Sequence, residues 1–215
     1  MDKTNRKKLE AYFEKTRLKK YNKRELLFRP GDELRDICYI KSGYVRVYSV
    51  TKDGQEVTIQ LFKPVFYLSL IQAINKFSNH FFFEAVTPVE MWVANREEAL
   101  NFIKKDAELS DQINKELMGE FMELITNIEY LISGNAYMKV ARVIYNLVVK
   151  YGEKKGKDIV IKFATPHRMI ASMTGLTRET VTLQILKMEK NKVLVNKGKL
   201  VYIRNLDKLA EAAMI

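Results

Sequence analysis

The chain has 215 residues, 47% of them hydrophobic and 29% charged, with a formal net charge of +11. That length and apolar content fill one large or two small cores and exclude global disorder, while nine Gly and four Pro exclude a linker-rich or collagen-like chain. No apolar run approaches the roughly 18 residues of a membrane span, and the basic N-terminal MDKTNRKKLEAYFEK lacks the apolar stretch of a signal peptide, so a cytoplasmic protein with no membrane partner is expected. The charge is uneven: residues 137–215 hold 16 Lys and Arg against 6 Asp and Glu, whereas residues 25–136 hold 11 against 17. A basic C-terminal third beside an acidic middle points to a polyanion-binding domain joined to a part with another task.

In chain order, an N-terminal helix candidate is followed by strand-like runs at 25–28, 37–40, 44–50 and 56–62. Turn chemistry separates them at Arg29-Pro30-Gly31-Asp32, Lys41-Ser42-Gly43 and Thr51-Lys52-Asp53-Gly54. Further runs at 81–86 and 89–94 complete the pattern of a small antiparallel barrel or jelly roll over roughly residues 18–95. From Asp106 the period changes. Leu109, Ile113, Leu117, Phe121, Leu124, Ile128 and Leu131 form one narrow stripe on a long helix, read as a dimer seam, with packing on its own barrel as the plainer alternative. Ser133-Gly134-Asn135 is expected to end that helix in a left-handed cap and to act as a hinge.

The last third reads helix, strand, helix, turn, helix, hairpin. A helix over 138–151 and a strand over 158–163 precede Thr165-Pro166, where Thr165 is expected as N-cap and Pro166 at the first helical position. That helix stops at Gly175, Thr177 caps the next over 178–191, and strands at 193–195 and 200–203 enclose Asn196-Lys197-Gly198-Lys199. The order is that of a winged helix-turn-helix. Arg178, Glu179 and Thr182 lie on the outer N-terminal turns of the second helix, the part a major groove receives, and are the expected base contacts. Thr177, Thr180, Arg168, Lys197 and Lys199 are the expected phosphate contacts.

The stretch MTGLTRETVTLQILKMEKNKVL, with TPHRMIAS before it and RPGDELRDICYIKSGYVRVYSVTKDGQE near the N-terminus, resembles the cyclic-AMP receptor/fumarate-nitrate regulator (CRP/FNR) family of bacterial transcription factors. The resemblance runs over nearly the whole chain. It implies an α+β protein with a cyclic-nucleotide-binding-like β-barrel (1–105), a dimerisation helix and hinge (106–136) and a winged helix-turn-helix (137–215). It also implies a homodimer on double-stranded DNA with RNA polymerase as a candidate partner, Arg178 and Glu179 on bases, and Thr177 and Thr180 on phosphates. The chain departs from the family in having Leu183 where a second arginine is common and Met169 where a glutamate is usual.

The sensor region departs further. Residues 64–95 contain no Gly and no Arg, and Lys76 is their only Lys, so a buried cyclic phosphate would lack compensation and cyclic AMP is not expected to bind. One cysteine, Cys38, rules against a thiolate-ligated iron–sulfur cluster; it reads as a buried small hydrophobe. His80 is a poor haem ligand candidate, and no metal or cofactor is expected. The apolar segment with Phe66, Tyr67, Leu70, Phe81 and Phe83 reads either as core or as a pocket for an unidentified apolar effector. Without a nucleophile–base pair, metal cluster or Gly-rich phosphate loop, an enzyme is not expected. The alternative of another class is a non-specific nucleoid or RNA-binding protein; the acidic Glu179 on the DNA-facing helix argues against it.

Overall fold

The computed structural model describes residues 2–68, 70, 78–198 and 200–215. Its contacts divide the chain into two compact units, Met1–Thr51 with Thr58–Met122, and Lys52–Val57 with Glu123–Ile215.

The first unit is built on eight strands: β1 (Arg17–Tyr21), β2 (Leu26–Phe28), β3 (Asp36–Ser42), β4 (Val45–Val50), β5 (Glu56–Phe62, whose first two residues belong to the second unit), β6 (Tyr67–Leu68), β7 (Phe82–Ala85) and β8 (Val89–Asn95). They form two four-stranded sheets in the orders β1-β8-β3-β6 and β2-β7-β4-β5. Helices α1 (Lys3–Phe13) and α2 (Arg96–Lys104) flank them, and α3 (Ala107–Ser133) begins in this unit. One core lies between the sheets, where Cys38, Ile40, Met91 and Val93 meet Val45, Val47, Phe83 and Ala85. A second lies on the other face of the first sheet, where Ile37, Tyr39, Trp92 and Ala94 meet Leu9, Phe13, Ala99, Ile103, Leu109 and Ile113 from the helices. Burial on both faces explains why β3 and β8 carry nearly unbroken apolar runs instead of alternation. Between β3 and β4, Gly43 sits at φ 87°, and a Cβ there would lie 2.2 Å from the Pro88 carbonyl oxygen, so the tight approach needs glycine.

Of the expected dimer seam, Leu109 and Ile113 are buried in the core of their own unit, and the half-buried Leu117 packs against that core. Further along α3 the most exposed apolar residues are Met118, Phe121, Met122, Ile125, Ile128 and Ile132, exposed by 60, 55, 58, 44, 56 and 80%. Apart from Met122, these residues recur at 3, 4, 3, 4, a heptad spacing, on a stripe rotated from the expected one and sharing Phe121 and Ile128 with it. Leu124 is half-buried and Leu131 is 38% exposed.

The second unit contains α4 (Ala136–Tyr151), β9 (Gly152–Lys155), β10 (Asp158–Ile161), α5 (His167–Thr174), α6 (Arg178–Lys190), β11 (Leu194–Lys197), β12 (Leu200–Ile203) and α7 (Leu206–Ala212). The strands form one sheet in the order β11-β12-β10-β9. Two local expectations change. Gly134 does not enter the left-handed region; its N–H still bonds the Tyr130 carbonyl at 3.0 Å, and Asn135 caps α4 by accepting from Met138 N. Asn135 therefore starts the next helix instead of closing the last. At α5 the N-cap is Pro166, extended at ψ 151°, while the Thr165 hydroxyl donates to the Phe163 carbonyl and is buried.

Candidate nucleic-acid interface

Helices α5 and α6 meet through a turn that Gly175 makes at φ 67° and ψ 17°, where a side chain would be strained. The Thr174 hydroxyl closes α5 by donating to the Ile170 carbonyl at 2.9 Å. Ile170, Ala171, Val181 and Ile185 are buried. The small Ala171 suits the close packing of a helix-turn-helix pair.

Thr177 is the N-cap of α6: its Oγ1 accepts from Thr180 N at 3.1 Å and lies 2.9 Å from the Thr180 hydroxyl. The cap satisfies one of the N–H groups that a helix start leaves without an intrahelical acceptor. Arg178 and Glu179 follow in the first turn, both exposed. One fork of donors and one pair of acceptors thus stand in solvent at the tip of a rigid helix, the chemistry that reads guanine O6/N7 and cytosine N4. Thr182 differs. It is half-buried, its hydroxyl donates to the Arg178 carbonyl at 2.8 Å, and His167 Nδ1 lies 2.8 Å from the Thr182 hydroxyl oxygen. The His167 imidazole is held below its ordinary pKa by burial first and by the positive charge of Arg178 second, with Glu189 opposing.

The flanking cations are placed as follows. Arg168 on α5 is exposed, with Nη2 3.5 Å from Glu56 Oε1. Lys197 ends β11, exposed, with Nζ 5.1 Å from the Tyr202 ring centroid. Lys199 lies outside the described residues. Leu183, where the resemblance expects arginine, is 58% exposed on α6. Sequence reasoning did not single out His167, Asn196 and Glu189 as a group. Their contacts with α6 and β11 span 15 and 29 residues, and no local pattern announces them.

The five residues of the expected effector pocket divide between the two cores. Tyr67 and Leu70 belong to the core beneath the helices, and the Tyr67 hydroxyl donates to Glu116 Oε2 at 2.9 Å. Phe83 lies in the core between the sheets, with Phe66 and Phe81 packed against it. A cleft of about 220 Å³ is lined by Leu70 together with Leu100, Ile103, Ile113 and Leu117, and by Lys104, Ser110 and Asn114. Cys38 is buried between the sheets and His80 is exposed. No helix of the described residues is long and apolar enough to cross a membrane.

Comparison with known proteins matches this architecture. Residues 18–106 match the cyclic nucleotide-binding domain and residues 138–212 the Crp-like helix-turn-helix domain. The fumarate and nitrate reduction regulatory protein of Escherichia coli (strain K12) is 28% identical over 197 residues, covering 92% of this chain and 78% of the relative. The protein of the same description from Yersinia pestis is 27% identical over the same shares. A transcriptional regulator of the CRP/FNR family from Thermus thermophilus has the same fold, with a TM-score of 0.77 at 19% identity over 93% of this chain and 99% of its own. A cyclic-nucleotide-binding-like barrel, a long helix and a Crp-like helix-turn-helix follow one another on a single chain, which is therefore a DNA-binding transcription regulator, not an enzyme, and belongs to the CRP/FNR family, whose members act as dimers.

Proposed function

We propose that a homodimer of this chain reads a two-part operator, each subunit placing the first turns of α6 in a major groove with half-sites one DNA turn, roughly 34 Å, apart. Arg178 and Glu179 read base edges and Thr182 completes the contact. Thr177, Thr180, Arg168, Lys197 and Lys199 take phosphates, and RNA polymerase is the candidate partner at the promoter. The observation that carries this reading is the exposed Arg178–Glu179 pair in the first turn of a capped helix braced by α5. A cytoplasmic location follows from the same reading, because the DNA lies there.

The barrel is proposed to sense something other than a cyclic nucleotide. Arg46, a buried guanidinium of the second sheet, is already neutralised by Glu84 at 2.8 Å and lies over the Tyr48 ring. Residues 64–95 add no arginine and no glycine with which to build a phosphate cradle. An iron–sulfur cluster does not fit either, since the one cysteine is buried between two sheets.

Gel-shift titration over a salt series, on an operator obtained by in vitro selection, tests the DNA-reading assignment. Glu179→Ala relaxes base preference by about 1–3 kcal/mol, whereas Lys197→Ala weakens binding to all sequences alike and reduces the salt slope by about one. Equal losses on every sequence for both variants would refute direct readout by α6.

A further inference from the structure

Three elements of the second unit meet at His167, the first residue of α5. Its Nδ1 lies 2.8 Å from the Thr182 hydroxyl on α6, and its Nε2 lies 3.3 Å from the side-chain amide nitrogen of Asn196 on β11. The backbone N–H of Asn196 donates to Glu189 Oε1 at 2.7 Å, near the far end of α6. The wing strand is thus tied to the recognition helix twice, once through Glu189 and once through the imidazole.

The groups at the two ends of this chain set its polarity. An amide nitrogen donates, so Nε2 accepts and the ring proton sits on Nδ1. The Thr182 hydroxyl has one proton, which goes to the Arg178 carbonyl at 2.8 Å, so Oγ1 accepts from Nδ1. From Asn196 to Arg178 every donor then faces an acceptor. An imidazolium would instead set an Nε2–H against the Asn196 amide hydrogens. Burial and the charge of Arg178 also disfavour the imidazolium, with Glu189 opposing them.

We propose that His167, in its Nδ1–H form, is a positioning residue for DNA recognition: a strut that fixes the wing to the first turns of α6 and engages the Thr182 hydroxyl, so that Thr182 meets DNA through its methyl group. This rests on the DNA-reading role of α6 proposed above. The strut makes the wing and the recognition helix approach the duplex as one piece. The phosphate contact of Lys197 then sets the register in which Arg178 and Glu179 meet bases. A threonine whose hydroxyl is held by the protein offers the apolar contact that favours a thymine methyl.

The test combines nitrogen-15 spectra of the histidine rings with binding measured on the selected operator and on mixed-sequence DNA, and thermal melts confirm that each variant is folded. The spectra are expected to place the His167 proton on Nδ1 at neutral pH. His167→Ala and Asn196→Ala each weaken operator binding about tenfold while mixed-sequence binding changes less than about twofold, and the double variant loses no more than the worse single one. Thr182→Val, which keeps the methyl and loses the hydroxyl, retains the preferred base at its position. A proton on Nε2, an unchanged operator preference in both single variants, a double loss equal to the product of the single losses, or a changed base preference in Thr182→Val overturns the strut. Should His167→Ala fail to fold, Asn196→Ala and the ring spectra still decide the matter. A wild-type protein that does not separate operator from mixed DNA overturns the reading role of α6 instead, and the ring spectra then still report on the strut.

Discussion

Replacing Ile125 by alanine tests which face of α3 pairs the subunits. In the protomer Ile125 keeps 44% of its surface exposed, on the stripe that also carries Met118, Phe121, Ile128 and Ile132. The substitution removes three methyl or methylene groups, worth roughly 2.4 kcal/mol if wholly transferred from water at about 0.8 kcal/mol each. Scaled by the exposed fraction, about 1 kcal/mol is at stake per copy, and a two-fold interface contains the residue twice, so the dimer weakens by about 2 kcal/mol. That is about a 30-fold rise in the dimer dissociation constant. Ile113→Ala is the matched control. Its side chain is 3% exposed inside the first unit, so it costs about 2–5 kcal/mol of unfolding stability and leaves the dimerisation constant alone. Equilibrium sedimentation over a concentration series reads the first quantity and urea denaturation the second. If Ile125→Ala changes the dissociation constant by less than about threefold while Leu124→Ala changes it by tens, the seam lies on the stripe first read from the sequence and the heptad argument is refuted.

Gly43→Ala places a Cβ against the Pro88 carbonyl at a backbone φ of 87°, and costs at least about 2 kcal/mol in denaturant unfolding; a wild-type midpoint would contradict that geometry. Stability also depends on the protonation of His167. Its folded pKa is depressed, so the unfolded chain takes up the proton first as pH falls through the ordinary value of 6.5, and stability declines there until the folded imidazole is protonated too. The difference between wild type and His167→Gln in urea melts from about pH 7 to 5 isolates this contribution, and parallel curves would exclude it. Calorimetric titration of cyclic AMP into the dimer gives no saturable heat, and a micromolar isotherm would overturn the proposed absence of a phosphate cradle.

Much of the site was legible because its signals are local. Gly175 and the Thr177 cap set where the two helices turn, and Arg178 and Glu179 fall in the first turn whatever packs behind them. The strands β3, β4, β5 and β8 follow from apolar runs between turn residues. By contrast, β1 and β9 were not singled out: Arg17–Tyr21 and Gly152–Lys155 are polar edge segments, defined by their pairing with β8 and β10 rather than by their own composition.

Amino-acid order alone therefore determined the fold class, the basic output domain and the tip of the recognition helix, because period, caps and charge act over a few residues. Tertiary structure decided which face of α3 is outward. A stripe spaced by fours and threes is apolar whether it covers a sheet or a partner, and only the burial of Leu109 and Ile113 in the core that also holds Tyr39 and Trp92 separates the covered start of the helix from its exposed remainder. It also decided the contacts of Thr182. Its hydroxyl is engaged by a histidine 15 residues away, itself held by an asparagine 29 residues further on, and such contacts exist only once the wing has folded back onto α6.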